Sequence, residues 1–139
     1  MAVSLYEMSV PLFTHQLYLW IDILKKGENF SQKRKIDPSI LVNARLAPDM
    51  YPLARQIQIG TDMVRKGIGR LASLDAPSYE DNEETFSDLQ KRIENTIHFI
   101  ETITEKQMQG SESKEIHFSI RDNEYDFDNG VDYLTRWII

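Results

Sequence analysis

The chain has 139 residues, 41% of them hydrophobic and 27% charged, which is enough for one soluble domain with a real core. Its 16 basic and 22 acidic residues leave a net charge of -6, which excludes nucleic acid as a default partner because phosphate binding needs clustered positive charge. Without cysteine there is no disulfide, thiolate metal ligand or cysteine nucleophile.

The N-terminus lacks the charged, apolar and small-residue succession of a signal peptide, and no apolar run reaches the roughly 18 residues of a membrane span. A cytoplasmic protein with no membrane partner is therefore expected. In chain order, "SLYE" at Ser4–Glu7 has capping-box spacing and opens a first helix over about 4–26. Val10, Phe13, Leu17, Trp20, Ile21 and Leu24 recur on one face, Gly27 supplies a stop, and Pro11 is expected to kink the helix. Met8, Leu12, His15 and Leu19 form a second stripe nearly opposite the first, so something besides the core should cover it: a loop, a later hairpin or another subunit.

A long connection, about 28–50, contains the solvated basic run Lys33–Lys35 and a short helical turn with Asp37 as N-cap and Pro38 at its first position. A second helix is predicted over about 50–72, with Met50, Leu53, Ile57, Gly60, Val64, Ile68 and Leu71 on one face. Gly60 on that face points to a closely approaching neighbour, while Gly67 and Gly69 weaken the last turns. "SLDAPSYEDNE" is a turn-rich connection, followed by a third helix over about 83–104 with Phe86, Leu89, Ile93, Ile97 and Ile100 as its stripe. The period then drops to two: Ile116, Phe118 and Ile120, answered by Tyr125 and Phe127, make a β-hairpin over about 114–127 whose apolar face should lie on the helices. A fourth helix, about 129–139 with Asp128 or Asn129 as cap, is roughly half the length of the others.

Candidate chemistry is sparse. Of the three histidines, His98 and His117 point to the surface and His15 interrupts the second stripe, and none has the spacing of a metal site. "EDNEE" and "RDNEYDFD" read as solvated or capping carboxylates, and no phosphate cradle or nucleophile elbow is present. The entry to the second helix is the most suggestive stretch. Asp49 is placed to cap it, Arg45 to tie the loop to that carboxylate, and Asn43 to join the capping; Arg55 and Asp62 fall opposite the core stripe, with Asp62 placed to pair with Lys66. Gln56 sits on the flank of the core face, where its amide needs a partner or a cavity.

The segments "YEMSVPLF", "LVNARLAPDMYPLARQIQIGTD" and "VDYL" resemble the domain of unknown function 1993 family of the DinB/YfiT-like superfamily, over essentially the whole chain. The resemblance implies an all-α, DinB-like four-helix bundle in one domain over 1–139, with a long connection between helices 1 and 2 and a hairpin before a truncated helix 4. Dimerisation is common among such relatives. Many of them bind a divalent metal through one histidine of helix 2 and an HxxxH of helix 4. Here helix 2 has no histidine and the chain reaches Ile139 before such a motif, suggesting a fragment or a missing tail, so no metal or other cofactor is expected.

Three readings stay open, and whether the protein is an enzyme is not decided among them. One is a small molecule bound between the helices near Gln56, Arg45 and His15. Another is a homodimer formed through Met8, Leu12 and Leu19. The third is a divalent-metal-dependent DinB-like transferase or hydrolase.

Overall fold

The computed structural model describes residues 3–139. Helix α1 runs from Leu5 to Arg34, 30 residues or about 45 Å, well beyond the expected stop at Gly27. The Ser4–Glu7 capping box is present, and the helix continues through exposed Pro11. Gly27 does not end α1: a Cβ there would come within 3.1 Å of the Phe86 ring, so the glycine admits a neighbouring aromatic. Lys33 and Arg34 thus lie in the last helical turn, favourable beside its carbonyl end, and Lys35 closes it in the left-handed conformation at φ 54°. The short helix α2, Pro38–Val42, has Asp37 as its N-cap.

Helix α3 spans Leu53–Leu71 and α4 spans Phe86–Glu101, each a little shorter than the periodicity suggests. In α4, Phe86, Leu89, Ile93, Ile97 and Ile100 are all buried, and Thr85 and Asp88 form a capping box. This helix packs against both α1 and α3, which touch one another far less. Where α1 and α3 do meet, Trp20 lies over Gly60, whose added Cβ would stand 2.6 Å from the ring. Gly67 and Gly69 are buried rather than frayed: a Cβ on the first would meet Ile138, and on the second the Leu74–Ala76 turn.

Strands β1, Ile116–Ile120, and β2, Asn123–Phe127, pair antiparallel with Phe118 opposite Tyr125. The hairpin's apolar face rests on the last segment, α5 (Gly130–Tyr133), which continues as one wide π-helical turn over Leu134–Ile138. Phe118 lies 5.6 Å from Tyr133 and 5.2 Å from Trp137, both edge-on, so the marginal hairpin gains an aromatic partner. Burial pushes the Tyr133 phenol above its ordinary pKa, against the opposing pull of its hydrogen bond from Arg70. Lys114 crosses to the end of α3 and donates to the Arg70 carbonyl at 2.7 Å, satisfying one of the helix's terminal acceptors.

On the outer face, His117 faces Asp126 at 2.6 Å and Glu115 at 3.4 Å. The Asp126 hydrogen bond, aided by that of Glu115, raises the imidazole above its usual 6.5. Because the folded state then binds the proton more tightly, the pair's contribution is complete below pH 6.5 and is lost as pH rises through the higher folded value. An NMR titration should place the His117 midpoint above 6.5 in the wild type and back towards it in Asp126→Asn. Equal midpoints would remove the pair from the pH response.

Candidate ligand groove

A groove of about 330 Å³ opens where α1, α2 and the loop entering α3 meet over Phe86. Leu24, Leu41, Leu53 and the Phe86 ring make its apolar lining. The loop is cinched at its base, where the Leu53 N–H donates to the Ala44 carbonyl at 3.0 Å. Its tip carries Leu46, which lines the groove and is 90% exposed. An isolated exposed leucine is ordinary, but one that overhangs an apolar cleft supplies a ready wall for an occupant.

Arg45 and Gln56 both line this groove. Gln56 is exposed, and its Nε2 donates to the Tyr51 carbonyl at 2.8 Å, which answers its need for a partner and leaves its Oε1 as an acceptor. Arg45 does not reach Asp49. Its Nη1 makes one long 3.4 Å bond to the Pro48 carbonyl, so most of the guanidinium is available. Asp49 does not cap α3 either: the helix starts later, with Pro52 as an N-cap that makes no side-chain bond, and Asp49 is exposed in the loop. Asn43 ends α2 instead, donating from Nδ2 to the Ser39 carbonyl at 2.9 Å.

His15 is exposed on α1 and does not line the groove. Of the stripe it interrupts, Met8 is half-buried, while Leu12 and Leu19 are 53% and 41% exposed. Within the described residues, neither loop nor hairpin covers those two leucines.

A larger depression, about 460 Å³, lies beside α4 and includes Tyr79, Glu83 and Arg92. Two of its charges, Arg92 and Glu83, are committed to one another. Arg92 has a side chain only 1% exposed, yet it donates to Glu83 at 2.8 Å, Asp62 at 2.8 Å and Thr61 at 2.8 Å, and pairs with Asp81 at 3.1 Å. Burial alone would lower its pKa, but the Glu83 hydrogen bond and the charges of Glu83, Asp62 and Asp81 raise it. Arg65, equally buried, bonds Asp62 at 2.6 Å and stacks on Tyr79 at 4.2 Å, with its Nε and Nη1 lacking partners among the described residues.

This network corrects two expectations. Asp62 is only partly exposed and turned to buried cations, with Lys66 a distant 4.0 Å partner. Glu83, in the acidic run read as solvated, has a side chain only 8% exposed and fastens the 72–85 loop to α4. The i,i+3 spacing of Asp62 and Arg65 was the one local signal available; Arg92 and Glu83 reach the cluster only through tertiary packing.

Residues 5–139 match the domain of unknown function DUF1993. The chain belongs to that family. A similar solved structure is the crystal structure of a DinB family member from Shewanella denitrificans. It has a TM-score of 0.81 and 27% identity, with 96% of this chain and 76% of that one covered. No curated protein shows significant similarity to the chain. The shared fold supports a mostly helical DinB-like bundle for this DUF1993 member. Among its described residues no helix is long and apolar enough to cross a membrane.

The residues of this DUF1993 chain do not fit the histidine ligands implied by the DinB resemblance. Helix α3 contains no histidine, and His15, His98 and His117 stand on separate elements. Among the described residues no three His, Asp or Glu side chains converge as a metal cluster.

Proposed function

We propose that this DUF1993 protein binds a small amphiphilic molecule in the groove between α1, α2 and α3, without a metal. This rests on the presence of Arg45 and Gln56 in the lining of a cleft whose apolar walls include Leu24, Leu41, Leu53 and Phe86. Such a lining takes an apolar tail by burial, at about 25 cal/mol per Å² removed from water, while a polar head accepts from the Arg45 guanidinium and donates to Gln56 Oε1. The groove offers neither a nucleophile paired with a base nor two facing acids, so binding rather than catalysis is the function it supports.

A second reading is favoured by one feature of α1. Leu12, Leu19, Ile23 and Phe30 fall within about 40° on the helical wheel, and they are 53%, 41%, 61% and 48% exposed. Two copies paired along this stripe would shield it, and Ile23 belongs to both the stripe and the groove.

One thermal-denaturation series tests both readings. With decanol and decanamide as probes, the midpoint should rise with the logarithm of probe concentration. Ala44→Trp, which fills the groove from an exposed lining position, should abolish the rise, and Gln56→Leu should weaken decanamide more than decanol. A full response in Ala44→Trp would move the ligand elsewhere, and equal decanamide binding in Gln56→Leu would remove Gln56 from the site. Repeated at tenfold higher protein concentration without probe, a constant midpoint counts against pairing of copies.

A further inference from the structure

A different cavity, about 370 Å³, opens between α3, the hairpin and the C-terminal segment. Four cations line it, Arg55, Lys66, Arg70 and Arg121, against a single carboxylate, Asp62. In a chain of net charge -6 this is a local reversal of sign. The carboxylate is shared: Asp62 Oδ1 is held by Arg65 at 2.6 Å and by Arg92 at 2.8 Å, and Oδ2 stands 4.0 Å from Lys66. Arg55 is matched by Asp81 at 2.8 Å. Among the described residues, however, neither Arg70 nor Arg121 has a carboxylate within ion-pairing distance.

Arg70 is also held in place. Its Nη1 donates to the Tyr133 hydroxyl at 2.9 Å and its guanidinium lies 4.0 Å from the centroid of the Phe118 ring. A guanidinium fixed on an aromatic face loses little freedom on meeting an oxyanion, and its other N–H groups still need acceptors. Trp137 and Ile120 add apolar surface to the same lining. Trp137 is itself braced by Tyr125 at 4.7 Å and Phe118 at 5.2 Å.

We propose that this cavity is a second ligand site, which takes an aromatic oxyanion: a planar ring carrying a carboxylate or a phosphate. Arg70 and Arg121 hold the anion through charge-assisted hydrogen bonds, Lys66 adds to the field, and the ring lies along Trp137. The site is independent of the α1–α2–α3 groove, with which it shares no lining residue.

Isothermal calorimetry on the whole chain tests this with phenyl phosphate and benzoate as probes, and benzyl alcohol and inorganic phosphate as controls. Saturable binding of an aromatic anion is expected, weaker at 200 mM than at 20 mM salt and about tenfold weaker in Arg70→Gln, the loss of one charged hydrogen bond. Because Arg70→Gln also disturbs Tyr133 and Phe118, Arg121→Gly is the second variant. Arg121 turns the hairpin at φ 56°, a conformation glycine adopts freely, so the charge is removed with the fold kept. Arg121→Gly should weaken binding by a similar factor, and Ala44→Trp should leave it unchanged. No saturable heat from either aromatic anion at millimolar concentration overturns the proposal, as does undiminished binding in Arg121→Gly. Equal affinity for benzyl alcohol rules out the anion contact, and equal affinity for inorganic phosphate rules out the aromatic one.

Discussion

Arg92→Met should cost about 3–5 kcal/mol of stability, the range for leaving buried charge without its partner. Methionine restores much of the side-chain volume but none of the donors. Glu83, its side chain 8% exposed, would lose its counter-charge, Asp62 would keep only Arg65 and the more distant Lys66, and the Thr61 hydroxyl would lose its donor. The loop over 72–85 would lose its Arg92 tie to α4 as well, since Arg92 also donates to the Glu80 carbonyl at 3.2 Å, and would keep its bonds to α3 from Arg55 and Gln58. Urea denaturation should show a lower midpoint. Hydrogen exchange should show the 72–85 loop opening well before α4. Glu83→Gln keeps an acceptor for Arg92 and should lose less, about 1–3 kcal/mol. A loss below 1 kcal/mol in Arg92→Met would mean that the cluster decorates the bundle without holding it.

Gly130→Ala is the second severe substitution. A Cβ on Gly130 would overlap the backbone carbonyl of Ser111, which cannot rotate away as a flexible side chain could. Overpacking of this kind costs about 1–3 kcal/mol, and more where backbone must shift. The damage should be local, because Gly130 seats the segment that buries Tyr133 and Leu134, both 0% exposed. Hydrogen exchange over 130–138 should accelerate and Trp137 fluorescence should shift to the red, while Val131→Ala, at a 42% exposed neighbour, changes little. If both variants behave alike, the close contact at Ser111 does not constrain the segment.

The helical stripes were legible because burial imposes its period on them. Ile57, Val64, Ile68 and Leu71 in α3, and the Phe86–Ile100 stripe in α4, are buried where the spacing put them. The end of α1 was not legible, since Gly27 resembles a stop signal and its reason for being glycine, the Phe86 ring, lies 59 residues away along the chain. Capping was legible where a local side chain does it, at Ser4 and Asp37, and misread at Asp49, where α3 begins after Pro52 with no side-chain cap. For the groove, the flank position of Gln56 and the loop position of Arg45 were enough to bring them to notice. His15 carried a similar signal yet lies on a different face, because a stripe on α1 does not say which neighbour it will meet. The Arg92 cluster stayed hidden because its members, drawn from α3, α4 and the loop between them, each look solvated in isolation.

Helix α4 reaches both of its large partners, and those partners barely touch each other. During synthesis, the residues of α1 and α3 are therefore both made before the helix that they pack against. The apolar faces that these two helices turn towards α4 can be covered only once residues 86–101 have been made.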